Sequence, residues 1–364
     1  MLTIVFLLII HLVIGLMIEN IKTHVFTFPI NLLLLLCSML FTVGISYTAD
    51  WSLYEWYYTY ELELTDPVFF QLTKLFRSYD LEYDYLFMVH ISCSILVYFF
   101  IISRYTKNYF YVFLIYLMLD YVHFTNQIRY YVGFPIMLTG YYYLFYRERY
   151  LLSISLIVLG ILCHAGLMAL LLFIPLFYFV SMKNFAKVTM VGSLVMFIII
   201  YFAMNGSVGL GLEHYDAYFG KEYESSIIGG FFNALPYVAY GVFFTIEFPR
   251  LLKKKVIVDK RKHDLLVKLS IFPFVFLPGA LLTQILGHRF IMPFSIFWMI
   301  TYLYLIRDLP EKKRFFRMVL FSLVHFFALF AIYVLPDFVL PQNLFKKEIE
   351  LTIKSISYLK DLFF

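Results

Sequence analysis

Two arginines at the starts of long apolar runs are the residues of this sequence whose type and position indicate a function most clearly. Arg129 follows Asn126 and Gln127, and Arg289 follows His288. If these runs cross a membrane, an ionisable side chain there is costly and typical of a functional site. A guanidinium can bind phosphate oxygens through two parallel hydrogen bonds, and a helix N-terminus adds positive potential. The pair therefore predicts an anion site that suits a diphosphate. The alternative for each is an interfacial arginine that extends towards lipid headgroups.

Two histidines are candidates for proton transfer or for orienting a substrate. His164 interrupts an apolar run, and a general base or proton relay near neutral pH fits that residue type. His123 lies a few residues before Arg129 and has the same possible roles. Each could instead be a buried structural histidine.

An acidic residue among aromatics is the third kind of candidate. Asp50 precedes Trp51 and Tyr54, whose rings could stack on sugar faces while the carboxylate binds sugar hydroxyls. The same aromatics could form an interfacial belt. Further along, Pro67 suits the first turn of a helix over 66–78, with Asp66 as its N-cap. Asp66 is otherwise interpreted as an ordinary loop acid.

The elements that must position these residues are membrane-spanning helices. The chain is 62% hydrophobic with a mean hydropathy of +0.82 and 15% charged residues, against about 25% in soluble proteins. Apolar runs approaching the ~20-residue length of a membrane helix recur throughout. The sequence therefore predicts an all-α polytopic protein of about twelve transmembrane helices. The predicted spans cover residues 2–18, 27–46, 84–103, 108–124, 128–146, 150–163, 165–181, 187–204, 231–249, 265–283, 289–306 and 315–335. They form one domain over 1–343, and an amphipathic tail follows over 344–364.

Charge patterning orients the spans. The linkers 250–262 and 307–317 are rich in lysine and arginine, whereas the loops at about 46–84 and 205–230 are acidic. Basic loops stay on the cytoplasmic side. All loops obey this rule only if the apolar run 150–181 breaks at His164 into two short helices. Both termini then face outside, and His164, Arg129 and Arg289 share the outer face.

Several function classes lack support in the sequence. The three cysteines have no metal-ligand spacing, and we find no Gly-rich phosphate loop, zinc motif or nucleophile elbow. The net charge of +5 lies in short loops, so it reports topology and does not indicate a nucleic-acid partner. No cofactor or metal is predicted. The substrate expected is an activated, anionic, membrane-borne molecule met from outside, such as a polyprenyl-diphosphate sugar.

Five short segments carry a family resemblance over most of residues 45–300. They are Asp50-Trp51-Ser52-Leu53-Tyr54, Asp66-Pro67-Val68-Phe69, Gln127-Ile128-Arg129, His164-Ala165-Gly166 and Gly287-His288-Arg289-Phe290. Their kind and order resemble the EpsG-like branch of bacterial Wzy-type polysaccharide polymerases. The resemblance implies a fold like that of large multi-span (GT-C-like) glycosyltransferases in the bacterial plasma membrane, with the site facing outside.

The resemblance also implies roles for the residues. The substrate would be an undecaprenyl-diphosphate-linked oligosaccharide, with a flippase and a chain-length regulator as possible partners. Arg129 and Arg289 would bind the diphosphate without a metal, and His164 would act as base or orient the acceptor. Asp50 would be the alternative base or a sugar ligand. Supporting substrate contacts are expected from Gln127, His288, His123 and Tyr54.

Two other functions remain open at this stage. A flippase for the same lipid-linked oligosaccharide also needs basic residues and many spans, but its charges should line a mid-membrane cavity between repeated halves. Here the charges fall at the outer edge, and no repeat is visible. An O-antigen ligase-like transferase would share the outer site and the arginines and differ mainly in its acceptor.

Overall fold

A computed structural model of the chain describes residues 48–62, 66–107, 109–204 and 225–333, together with scattered positions of 29–45 and residue 335. Within these residues every regular element is helical and no strand occurs, which confirms the all-α prediction. The predicted span 2–18, the tail 344–364 and most of the loop 205–230 lie outside the described residues. The domain boundaries drawn from the sequence stay predictions.

The described helices fall into two compact units that part between Met168 and Ala169. The first unit contains α1 (Trp51–Thr59), α2 (Pro67–Arg77), α3 (Tyr83–Tyr105), α4 (Tyr109–Asn126), α5 (Ile128–Tyr141) and α6 (Tyr150–Cys163). A π-helical turn, Tyr142–Tyr146, extends α5. α1 was not predicted from the sequence. Its buried residues Trp51, Tyr54 and Tyr58 have helical spacing, a signal that the abundance of aromatics in this loop conceals.

Glycines hold α5 and α6 together. A Cβ atom on Gly133 would lie 2.7 Å from the carbonyl oxygen of Gly160, and one on Gly160 would lie 2.9 Å from that of Gly133. A Cβ on Gly140 would meet the oxygen of Ser153 at 3.0 Å. Small residues at such crossings let backbones approach closely. Because the contact partners run in opposite sequence order, the two helices are antiparallel, and the start of α5 lies beside the end of α6.

The helix is interrupted at His164, directly after α6 ends, and the second unit begins shortly afterwards at Ala169. A 3₁₀ turn, Ala165–Leu172, leads into its first α-helix. The helices are α7 (Phe173–Phe179), α8 (Met182–Met204), α9 (Ile227–Leu252), α10 (Lys260–Ile271), α11 (Leu277–Ala280), α12 (Gln284–Leu286), α13 (Ser295–Ile306) and α14 (Glu311–Tyr333). The break between two short helices, required by the charge pattern, is therefore present.

Six helical segments in the described part of the chain are long and apolar enough to cross a membrane. They are Tyr83–Tyr105, Met182–Met204, Ile227–Leu252, Lys260–Ala280, Gln284–Ile306 and Glu311–Ile332. Shorter apolar helices occupy Val112–Asn126, Tyr150–Cys163 and Ala165–Phe179. These segments support a polytopic membrane protein. The total of twelve spans and the likeness to a glycosyltransferase fold stay predictions.

Candidate functional site

An ion pair in the first unit joins the loop before α2 to the start of α5. Nη1 of Arg129 lies 2.6 Å from Oδ2 of Asp66. The Asp66 side chain is fully buried, and that of Arg129 is 11% exposed. Arg129 is the second residue of α5, so the prediction that it opens a helix is confirmed. Removing one partner of such a buried charge pair strongly destabilises the folded protein, because the other partner stays charged and buried.

Aromatic rings surround the guanidinium of Arg129. Its central carbon lies 4.9 Å from the ring centre of Tyr54, 5.6 Å from that of Phe69 and 6.0 Å from that of Tyr57. Ring faces attract cations, and more strongly where water is excluded. Tyr54 and Phe69 also pack on each other, with centres 5.7 Å apart. Loop helices α1 and α2 thus supply rings that hold the guanidinium in place.

Asp66 is not the helix cap that the sequence predicts. It occupies the N-cap position of α2, with Pro67 following, but its side chain makes no capping hydrogen bond. Its Oδ1 instead accepts a hydrogen bond from the backbone N–H of Ala165, at 2.9 Å. Interpreting it as an ordinary loop acid was also wrong. The carboxylate links Arg129 to the residue that follows His164.

The interruption of the helix after α6 places His164 beside the start of α5. α6 ends at Cys163 and His164 is extended, with φ −158° and ψ 113°. Its ring contacts Tyr130 edge to face, with centres 5.4 Å apart, and Nδ1 accepts a hydrogen bond from the backbone N–H of Gly166 at 3.0 Å. An Nδ1 that accepts carries no proton. The neutral ring is then protonated at Nε2 and presents a donor there.

Asp50 is tied to the end of α4 through its backbone. Its N–H donates to Oδ1 of Asn126 at 2.6 Å. Its side chain makes no capping hydrogen bond to α1, although Asp50 occupies the N-cap position. Asn126, itself buried, was not among the predicted site residues. The Asn126 contact anchors the first loop beside the segment that carries Arg129.

Gln127 and His123 lie at the junction between α4 and α5. The backbone N–H of Gln127 donates to the carbonyl of His123 at 2.9 Å, and the backbone N–H of Tyr131 donates to the carbonyl of Gln127 at 3.0 Å. His123 is 7% exposed. Within the described structure, Oε1 of Gln127 is buried and accepts no hydrogen bond. Both residues lie shortly before Arg129 in the chain, and their predicted contacts with substrate remain predictions.

Arg289 and His288 lie in the second unit, in a π-helical turn over Gly287–Ile291. The candidate span containing them begins at Gln284, so Arg289 does not open it as the sequence had indicated. The turn packs tightly, since a Cβ on Gly287 would lie 2.5 Å from the ring of Tyr237. The helix-dipole argument therefore applies to Arg129 alone. The diphosphate site shared with Arg129 stays a prediction.

The structure thus brings Arg129, Tyr54, Asp66 and the His164 break together within one unit. Asp66, Tyr57, Phe69 and Asn126 were missed as site residues. The acidic-Pro-x-Phe segment contained a usable signal, since it names both Asp66 and Phe69. No signal in a single sequence pairs Asn126 with Asp50. Among the described residues, no three histidine, cysteine or acidic side chains are grouped so that they could hold a metal ion.

Comparison with known proteins agrees with the motif resemblance. The model of the EpsG family matches residues 29–344, which is most of the chain. The chain therefore belongs to the EpsG family, which is associated with glycosyltransferase-like polysaccharide polymerase activity. No curated protein and no solved structure that was compared matches the chain.

Proposed function

We propose that this chain is a polymerase that joins undecaprenyl-diphosphate-linked oligosaccharide repeat units into a surface polysaccharide. The observation that carries the proposal is Arg129, in a chain of the EpsG family. Its guanidinium is buried among aromatic rings, paired with Asp66 and set at one end of the α5–α6 hairpin. Such a fixed cation suits the charge that develops on a leaving diphosphate.

The reaction would transfer the growing glycan to a new repeat unit. A hydroxyl of the non-reducing-end sugar of the acceptor attacks the anomeric carbon of the donor glycan. A new glycosidic bond forms, the bond from that carbon to the diphosphate oxygen breaks, and undecaprenyl diphosphate leaves with the electron pair. The hydroxyl proton passes to a base on the protein or to water. The active site would face outside in the bacterial plasma membrane.

Arg129 would neutralise the charge of the diphosphate. A guanidinium carries five N–H donors, more than one carboxylate can use, so the diphosphate would share it with Asp66. Asp66 itself is fully buried, pairs with Arg129 through Oδ2 and accepts the backbone N–H of Ala165 through Oδ1. It is therefore suited to orienting Arg129 and poorly suited to accepting the proton.

His164 would orient the acceptor. Because Nδ1 accepts from Gly166, the neutral ring offers a donor at Nε2 and no free lone pair for a proton. This geometry favours the acceptor-orienting role over the general base. Asp50, anchored through its backbone to Asn126, would then be the candidate base.

Deletion of the gene, with examination of the surface glycan ladder, tests the function. We expect long chains to disappear while single lipid-linked repeat units still reach the outer face. Arg129→Ala should reproduce the deletion, since removal of one charge-stabilising donor costs about 10²–10³ in rate. The matched control is Arg104→Ala, because Arg104 also lies over a ring, 4.3 Å from Phe100, but is exposed.

Two results would refute the proposal. Single repeat units that accumulate only inside would indicate a flippase. An unchanged ladder after deletion would remove the polymerase role altogether. Immunoblots of membrane fractions must show Arg129→Ala and Arg104→Ala at the wild-type level. A loss of polymer can then not be explained by a loss of the protein.

A further inference from the structure

A line of aromatic rings leads away from Arg129 along α1. The ring of Tyr57 lies 6.0 Å from the guanidinium carbon of Arg129, and its centre is 5.6 Å from that of Trp56. The ring centre of Trp56 in turn lies 5.9 Å from that of Tyr60. These three residues, Trp56, Tyr57 and Tyr60, are called the aromatic platform below. It becomes more exposed with distance from Arg129, because Trp56 is 50% exposed and Tyr60 is 63% exposed.

The platform stands on a braced helix. Arg77 of α2 donates from Nη1 to the carbonyl oxygens of Tyr58 and Thr59 at the end of α1. The Tyr58 hydroxyl donates to the carbonyl of Leu81, and the opposite face of α1 packs through Trp51 on Phe87, with ring centres 4.8 Å apart. Large rings exposed on a rigid scaffold lose little conformational entropy when they bind a ligand.

Carboxylates flank the rings. Glu55 and Glu61 come directly before and after the platform residues in the sequence and are exposed, and Glu61 pairs with Arg77 at 3.3 Å. Sugars present C–H faces that pack on aromatic rings and hydroxyl edges that donate to carboxylates. A membrane interior accepts such rings but disfavours carboxylates beside them. The combination fits a glycan better than it fits lipid.

We propose that the aromatic platform binds the glycan chain where it leads away from the diphosphate held at Arg129. This inference rests on the proposed function, because it assigns a second binding surface to the same polymerase. A chain held on the platform between additions stays with the enzyme for more additions. The platform would therefore set product length and leave the formation of each bond to the residues around Arg129.

Intrinsic fluorescence tests binding directly, since the chain has three tryptophans and Trp56 is the exposed one. Trp51 and Trp298 are 5% and 0% exposed. Full-length protein in lipid nanodiscs is titrated with short oligosaccharides cut from the surface polysaccharide of the producing cell. We expect a saturable change in emission. Trp56→Phe keeps a ring for stacking but lacks the reporter, and its residual emission should not respond.

The competing occupant is the bilayer interface. Nanodiscs containing brominated lipid reveal it, because bromine quenches an indole that lies in the headgroup region. No saturable response to the oligosaccharides overturns the proposal, whether or not the lipid quenches Trp56. This assay measures binding alone, so its result does not depend on whether the protein proves to be a polymerase.

Variants test the consequence for chain length. Trp56→Ala lacks the fluorescent reporter, so its binding is measured by isothermal titration calorimetry beside wild type; it should bind the oligosaccharides about tenfold more weakly, equivalent to about 1.4 kcal/mol, because one stacking ring is lost. Trp56→Ala with Tyr60→Ala should shorten the polymer while the first linkage still forms. Tyr79→Ala is the control, since Tyr79 is 71% exposed in the same loop but not in the ring line. Wild-type polymer length in the double variant overturns the proposal, whereas loss of every linkage would place these rings in the catalytic site and overturn it too.

Discussion

Oδ2 of Asp66 lies 2.6 Å from Nη1 of Arg129, while its other oxygen accepts the backbone N–H of Ala165. One buried carboxylate thus joins the loop before α2, the start of α5 and the helix break after α6. The guanidinium is held both by its pair with Asp66 and by its position in α5. The candidate site therefore depends on a contact between distant parts of the sequence.

Removing the Asp66 charge should disable the site and destabilise the fold. Asp66→Ala leaves the Arg129 charge buried without its carboxylate, which typically costs about 3–5 kcal/mol. Thermal unfolding of the detergent-purified protein measures this loss, and the glycan ladder measures the loss of polymer. The double variant Asp66→Ala with Arg129→Ala should be more stable than Asp66→Ala alone, because no buried charge is left uncompensated.

The double-mutant cycle supplies the control. If the two single changes simply add, the pair carries no coupling energy and Asp66 does not hold Arg129. Glu55→Ala, an exposed acid on α1, is the control and should leave stability unchanged.

The α5–α6 crossing should not tolerate even a methyl group. In Gly133→Ala the new Cβ would lie 2.7 Å from a backbone oxygen of Gly160, so the helices must separate. We expect a loss of about 1–3 kcal/mol and reduced polymer, since Arg129 lies one turn before Gly133. Gly192→Ala is the matched control, because its Cβ would meet only a Val275 side-chain methyl at 3.2 Å. Equal stability of the two variants would contradict this packing.

His164 variants separate a donor from a base. His164→Gln replaces the Nε2 donor with an amide and should keep activity within about tenfold of wild type, since one hydrogen bond contributes about 1 kcal/mol. Loss of a general base would cost about a hundredfold or more. His164→Asn mimics Nδ1 instead and should be less active than His164→Gln. The reverse order in a polymerisation assay would refute the orientation assigned to this ring.

Gly166 is the position that lets the His164 ring lie against the backbone. A Cβ there would lie 2.8 Å from both Nδ1 and Cε1 of His164. Gly166→Ala should therefore displace the ring and reduce polymer formation without removing the protein from the membrane. Wild-type chain length in this variant would show that the ring position is not needed.

The sequence predicted some of this site and could not have predicted the rest. Local patterns placed a helix start at Arg129 and a break at His164, because apolar periodicity and loop charges report such features. They misassigned Asp66, since an acid before a proline usually caps the helix that follows. Its partners Arg129 and Ala165 are brought to it only by tertiary packing. The start of the span that contains Arg289 was predicted at the wrong residue, because polar and charged residues stand at this end of the span.

An ion pair in the second unit should make stability depend on pH. Nζ of Lys255 lies 2.7 Å from Oδ2 of Asp308, and this hydrogen bond, with a contribution from Arg307, lowers the pKa of Asp308 below its ordinary value. The stabilisation is complete above the unfolded-state pKa of about 4 and is lost as pH falls through the lower folded-state pKa. Because Asp308 is partly exposed, we expect a contribution of about 1 kcal/mol.

Thermal unfolding between neutral and acid pH measures this dependence. Asp308→Asn should lower the midpoint at pH 7 and remove part of the decline towards acid pH. The control is Glu311→Gln, an exposed acid of the same linker, which should leave the curve in place. An acid decline that is identical in Asp308→Asn and wild type would rule out the pair as its source.

Polymerisation by purified protein in liposomes, supplied with undecaprenyl-diphosphate-linked repeat units, tests the central claim most directly. The readout is the release of undecaprenyl diphosphate together with the length of the glycan. The account predicts that wild type and Arg104→Ala release the lipid and lengthen the glycan, whereas Arg129→Ala does so about 10²–10³ times more slowly. Equal rates for Arg129→Ala and Arg104→Ala would contradict it.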